Sequence, residues 1–476
     1  MTASVSSICD TIIRNAYVLT MDAQRTVYPV GAIAIRGHSI AAVGTEADIL
    51  RGWHAPRILD AAGAIVHPGY VDAHLHVNAQ TCRGFFRGDA SKSGGSGPNY
   101  ADWKAALEPE DEQAAAALAC IEMLRHGITT FVEPGSAFEP DAVAAATQAA
   151  GVRCSLSDPY LWDDMALMDT IPGLRSDSLL ARVPATRARC EKLLGGQLFR
   201  NRDKDGITHG HVALYGEGSA SDDLYRAAKA LADREKVVLN SHIGFDLDLA
   251  AAMEKHWKKP RFVHLAELGV LGRNTLFVHM NLIRDEEVEP ILSSGLSIVW
   301  CPFAYASRGT PLRQPTRIPQ MKQRGAPVAL GTDSARQSSA GDSGYLAFLL
   351  AASAGQIIAA EDVIEMQTLG GARAAGLDAL IGSIEPGKRA DIVVRSGEVA
   401  ELAPGSDAAH QLIAVGHGPS ADTVLVNGRI VMRGGRSTLL DEAAVFAEAR
   451  ASNARMSARL GLKPPGLWPK AQAAAE

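Results

Sequence analysis

The chain has 476 residues, 47% of them hydrophobic, with 47 basic residues against 53 acidic ones and a formal charge of −6. That composition excludes disordered and collagen-like classes and leaves no basic footprint for nucleic acid. No apolar run reaches the roughly 18 residues needed to cross a bilayer. The first residues lack the basic-then-apolar pattern of an export signal, so the expected location is the cytoplasm. The six cysteines, Cys9, Cys82, Cys120, Cys154, Cys190 and Cys301, form no CxxC pair and are too sparse for a disulfide framework. Reduced, mostly buried thiols are the expectation.

In chain order, residues 1–66 read as short strands with turns, in TIIRNAYVLTM, GAIAIRGHSIAAVG and APRILDAAGAIVHPG. Residues 67–379 change to alternating strands and helices. Apolar runs such as HGITTFVEPG, HVALYGEG, VVLNSHIG, TLFVHMN, LSIVWCP and PVALGTD alternate with alanine-rich helical stretches. Strands that are each followed by a helix imply a parallel sheet with crossover helices, and a run of this length suits an α/β fold of the (β/α)8 TIM-barrel type. Strand texture returns at 380–440, where Asn427-Gly428 is a hairpin signal. The two flanking β segments are expected to form one small composite β-sandwich, followed by a C-terminal helix and tail over 441–476. Two stretches, 83–102 and 158–177, are too long for ordinary connections and read as functional loops, the first as a lid.

Of the fourteen histidines, only a few sit where chemistry gathers. In HPGYVDAHLHV, His74 and His76 are two apart on a strand and so share a face with each other and with Asp72. Two convergent imidazoles at a strand end are half of a metal site. His242 in VVLNSHI, His279 in TLFVHM and Asp333 in PVALGTD also close apolar runs. In a barrel, C-terminal strand ends converge on one pocket. Three or four N/O ligands with an open position favour zinc, with iron, cobalt or manganese as alternatives. A second HxH, His209 and His211, precedes the run VALYG and reads as structural.

PGYVDAHLH, the strand-end His242 and His279, the GTD at 331–333, and the closing segments GSIEPGKRADIVV and VLVNGRIVMRGGR together resemble the amidohydrolase superfamily. RHGITTFVEPG and EEVEPILSSGLSIVWCP are similar to its branch of triazine chlorohydrolases and deaminases. The resemblance implies a barrel with one catalytic divalent metal per subunit, held by His74, His76, His242 and Asp333, with His279 beside the attacking water. It also implies a homo-oligomer acting on a small molecule. Two-metal relatives draw a carboxylated lysine or a glutamate from a middle strand. Neither HVALYGEG nor ITTFVEPG holds a lysine, and Glu133 reads as a buried structural carboxylate.

The same branch places a proton-shuttling glutamate three residues after the strand-five histidine. Here that position is Phe245, followed by Asp246, and Tyr215 stands where relatives carry a substrate-orienting polar residue. An aromatic pocket without the shuttle suits attack on an amide, urea or carbamate carbonyl, as in relatives that hydrolyse phenylureas or thiocarbamates such as molinate. In that reading Asp333 takes the proton of the attacking water, His279 steadies the oxyanion, and either returns a proton to the departing amine. Arg83, Trp162, Tyr215, Phe245 and Trp300 are the candidate substrate contacts, with Phe85, Phe86 and Arg87 beside Arg83 in the expected lid. The alternative is an aminohydrolase, a deaminase or dechlorinase of purine, pyrimidine or triazine rings. A non-catalytic descendant is the third reading, and the five filled positions weigh against it.

Overall fold

The structure, a computed structural model, describes residues 7–86, 98–164, 166–167, 176–336, 338–463 and 468. Eight parallel strands form a ring: Tyr70–Asp72, Ile128–Val132, Arg153–Leu156, an interrupted fourth strand, Leu239–Ile243, Thr275–His279, Ser297–Trp300 and Val328–Leu330. The fourth strand is split into Thr208–Gly210, which pairs with strand three, and Val212–Gly216, which pairs with strand five. His211 lies at the break, with its N–H donating to Leu156 O. The ring closes where Ala73 N donates to Leu330 O and where Asp333 N and His76 N bond the backbone oxygens of His74 and Asp333. The chain therefore forms the barrel that its alternating pattern predicts.

Helices end abruptly and strands follow at once, because glycine supplies the left-handed residue that terminates a helix. Gly127, with φ +82°, ends the helix Pro109–His126 directly before strand two. A Cβ there would lie 2.7 Å from a guanidinium nitrogen of Arg395, so glycine also permits the close approach of a second sheet.

That sheet has nine strands and uses both ends of the chain. Ile392–Arg395 runs antiparallel to Ile65–Pro68, which in turn pairs with Thr11–Leu19. The strands Ala421–Val426 and Arg429–Arg433 are joined by Asn427 and Gly428, both with positive φ, as the hairpin signal predicts. A C-terminal helix, Glu442–Leu460, packs on Pro109–His126. All six cysteines are unpaired and buried, in accord with the expected reduced thiols. Among the described residues no helix is long and apolar enough to cross a membrane. Residues 87–97, 165 and 168–175, which include Arg87, most of the expected lid and much of the second long loop, lie outside the described residues.

A buried ion pair joins the sheet to the barrel. Arg153 of strand three bonds both carboxylate oxygens of Asp391, at 2.9 and 3.1 Å, with both residues almost wholly buried. Removing one partner strands the other charge in a dry interior, at a cost of about 3–5 kcal/mol. Asp391→Ala is therefore expected to lower the unfolding free energy by about that amount in urea titrations. The Arg153→Met/Asp391→Leu double variant, which buries no charge, is expected to lose less than the single.

Candidate metal centre

The first, fifth, sixth and eighth strands deliver His74, His76, His242, His279 and Asp333 to one rim of the barrel. His74, His76 and His242 form one group with ligand atoms all within 4.8 Å, and His74, His279 and Asp333 form another. The His74 ring centroid lies 4.9 Å from that of His76, 4.6 Å from His242 and 5.7 Å from His279. All five side chains are buried. The structure thus brings together every histidine and the aspartate that the strand-end argument singles out.

Hydrogen bonding fixes which nitrogens face the centre. His242 Nδ1 lies 2.6 Å from Tyr215 O, and a carbonyl only accepts, so Nδ1 carries the proton and Nε2 is bare. His76 Nδ1 lies 2.8 Å from Ser136 Oγ, whose own proton goes to Glu133. Glu133 also accepts from the backbone N–H groups of Gly135 and Ser136, which fills its carboxylate. Ser136 Oγ must then accept from His76, leaving His76 Nε2 bare as well. The two bare nitrogens face each other at 3.3 Å, and His76 Nε2 is 3.2 Å from a carboxylate oxygen of Asp333. Three lone-pair donors this close repel one another unless a cation lies among them. Both ring nitrogens of His74 and Nδ1 of His279 are also buried with no hydrogen-bond partner among the described residues. The donor set therefore fits a divalent cation on imidazole and carboxylate.

Electrostatics agree. Burial holds the imidazoles neutral, lowering His76 to about 4, His279 to about 3 and His242 well below its usual value. Burial alone would raise Asp333, but the imidazoles of His74, His76 and His279 packed around it outweigh burial and keep the carboxyl well below the usual range. The backbone is strained at the same place. His279, Met280 and Asp333 have φ of +76°, +46° and +64°, a region disfavoured for residues with a Cβ.

The other sequence candidates divide. Tyr215 packs on the centre, 4.8 Å ring to ring from His242, and Trp162 packs 5.4 Å from Tyr215 as an outer layer. Phe245 lies 5.9 Å from the His279 ring. Arg83 is tied to Glu122 and to the Ala335 carbonyl, so its guanidinium anchors the segment after strand one. Trp300 sits with Ile298, Ile318 and Met321 in the large hydrophobic cluster, which corrects its reading as a substrate contact. Its strand neighbours Val299 and Cys301 pack in a different cluster, because alternate residues face opposite ways. Asp246 caps the helix Leu247–Trp257, accepting from Asp248 N and Leu249 N, and so does not stand in for a carboxylate at 245. Glu217 is held between Arg261 and Gly244 N in a fully buried ion pair. His209 bonds Arg153, and His211 lies between Ser155 and Asn240, which gives both their structural roles.

Sequence reasoning misses Ser136 and Lys104. Ser136 follows Glu133 by three residues, a short turn that carries no motif. Lys104 lies on the helix Tyr100–Ala106, buried, with Nζ 3.2 Å from Tyr215 Oη.

Residues 65–431 match the amidohydrolase family. The chain belongs to the amidohydrolase family. It is accordingly a metal-dependent hydrolase acting on carbon–nitrogen bonds. Over 471 residues it is 27% identical to a 5'-deoxyadenosine deaminase of Methanosarcina mazei, covering 95% of this chain and 99% of that one. A 5-methylthioadenosine/S-adenosylhomocysteine deaminase of Nitratidesulfovibrio vulgaris is 28% identical over 461 residues, covering 93% and 96%. Among solved structures, a zinc-bound adenosine deaminase of Xanthomonas campestris shares the fold, with TM-score 0.79, 24% identity and coverage of 95% and 100%. The zinc-bound atrazine chlorohydrolase of Arthrobacter aurescens does likewise, with TM-score 0.78, 22% identity and coverage of 93% and 100%.

Two outcomes test this amidohydrolase centre. Ser136→Ala frees the His76 tautomer and is expected to weaken metal binding about 10–100-fold in chelator competition. Asp246→Ala is expected to cost about 1 kcal/mol of stability, as a lost helix cap does, while steady-state turnover is retained.

Proposed function

We propose that this amidohydrolase is an aminohydrolase, replacing the exocyclic amino group of a purine-type nucleoside or related amino-heterocycle by oxygen. The observation that supports this most is that relatives matched along almost their whole length are deaminases of adenosine derivatives. Those relatives lend no support to a phenylurea substrate.

We read the centre as holding one zinc per subunit through His74, His76, His242 and Asp333. A divalent ion in such a site supplies Lewis acidity that lowers the pKa of water from about 15.7 to about 7. Asp333, kept ionised by the imidazoles around it, accepts the proton that the attacking water loses. His279, neutral and buried, lies beside that water and steadies the tetrahedral carbon's oxygen. As the carbon–nitrogen bond breaks, the proton held on Asp333 passes to the leaving nitrogen, which departs as ammonia. Tyr215, Trp162 and Phe245 supply apolar ring faces suited to a flat heterocycle. A cytoplasmic homo-oligomer completes the reading.

One observation favours a second reading. Phe245 puts no carboxyl next to the His279 side of the pocket, which suits an amide, urea or carbamate carbonyl that has no ring nitrogen to protonate.

A substrate screen separates the two. Metal-loaded protein is expected to release ammonia from 5'-modified adenosines or amino-triazines and no arylamine from phenylureas; arylamine release without ammonia would reverse the assignment. His279→Ala is expected to lose about 10²–10⁴-fold in kcat with metal content unchanged, measured by metal analysis of the same sample.

A further inference from the structure

Hydrolytic displacement at a ring carbon pushes electrons onto the adjacent ring nitrogen, so an amino-heterocycle needs a donor aimed at that nitrogen. Among the described residues, four carboxyls near the rim are already engaged. Asp333 belongs to the metal centre, Glu133 holds Ser136, Glu217 is paired with Arg261, and Asp246 caps its helix. Phe245 has no donor at all.

Lys104 does. Its side chain is 1% exposed, and its Nζ makes one hydrogen bond among the described residues, to Tyr215 Oη at 3.2 Å. An ammonium has three donors, so two are left over. No carboxylate pairs with it among the described residues. It lies instead among three tyrosine rings, with Nζ at 5.2 Å from the Tyr100 centroid, 5.3 Å from that of Tyr160 and, at the hydroxyl end of Tyr215, 5.3 Å from its centroid. Tyr160 Oη and Trp162 Nε1, next to Tyr215, are also buried with no hydrogen-bond partner among the described residues. The cage adjoins the metal centre, because the Tyr215 ring packs 4.8 Å from His242 and 6.2 Å from His76.

We propose that Lys104 and Tyr215 form the donor pair that hydrogen-bonds the substrate's ring nitrogen, a role that Phe245 has no group to fill. The proposal rests on the aminohydrolase reading above. It accounts for an otherwise costly arrangement, a buried cation with no counter-charge in contact among the described residues. Burial, reinforced by Arg336, pulls the ammonium down to about 7 against the opposing fields of Asp333 and Glu133. A pair poised this way donates readily without an ion pair to break. Donors set among aromatic rings in this way would select a heteroaromatic ring with an acceptor nitrogen beside the reacting carbon.

The test uses the metal-loaded enzyme and four proteins: wild type, Lys104→Met, Lys104→Arg and Tyr215→Phe. Lys104→Met is expected to lose 10²–10³-fold, chiefly in kcat, on whichever amino-heterocycle the wild type deaminates, with metal content unchanged. Its melting temperature is expected to hold or rise, since one buried charge is gone; a purely structural lysine would lower it. Lys104→Arg keeps donors and is expected to recover part of the loss. Tyr215→Phe keeps the ring and is expected to lose about tenfold, a loss of the size expected for one hydrogen bond. Calorimetric binding of inosine, a product-like nucleoside, is expected to weaken at least tenfold in Lys104→Met. If Lys104→Met and Tyr215→Phe deaminate and bind inosine like the wild type, the donor pair is overturned and the aminohydrolase reading stands. If the wild type releases no ammonia from any amino-heterocycle, the reading falls and takes the pair with it.

Discussion

Two bare imidazole nitrogens held 3.3 Å apart are the constraint on which the site depends. Left alone they would repel, and the rings would turn until one offered a proton to the other. They do not turn because each is locked from behind. The Tyr215 carbonyl holds His242, and the Ser136–Glu133 relay holds His76. The backbone of the barrel does the first of these jobs directly, since Tyr215 is a residue of strand four and His242 of the neighbouring strand five. Metal affinity is therefore written into strand pairing as much as into the ligands themselves.

The closing seam of the barrel has the same double use. Asp333 is stitched by its backbone between His74 and His76, so the hydrogen bonds that shut the ring also fix a carboxylate against two imidazoles. The left-handed backbone at Asp333 is held by its two backbone hydrogen bonds to His74 and His76, and that at His279 by pairing with Ile243 of strand five. A rigid barrel overdetermines these positions, and strain of this kind concentrates where chemistry occurs.

Much of this centre is legible in the sequence, for a simple reason. A parallel barrel puts all C-terminal strand ends on one rim, so a polar residue closing an apolar run is placed by the fold without any knowledge of contacts. His74, His76, His242, His279 and Asp333 all follow from that rule. Trp300 shows its limit. It closes an apolar run too, but period-two alternation turns it outward with Ile298, and the same pattern read one step further would have shown it. Ser136 and Lys104 are not legible, because their positions depend on a turn and on a helix from a long excursion after strand one. The likeness of the chain to deaminases likewise comes from its whole length, whereas the substitution at Phe245 pulls a local reading toward carbonyl substrates.

The pairing of Ile392–Arg395 with Ile65–Pro68 has a consequence for how the protein is made. The segment that leads into barrel strand one lies beside a partner synthesised more than three hundred residues later. Until that partner leaves the ribosome, one edge of Ile65–Pro68 is unpaired, and Arg153 waits for Asp391. The candidate ligands His74 and His76 emerge early, yet Asp333 and the four closing strands of the sheet arrive in the last third of translation. Contacts so distant in sequence form slowly. The enzyme thus spends most of its synthesis with this cluster of side chains incomplete, and the full donor set is assembled only in the last third.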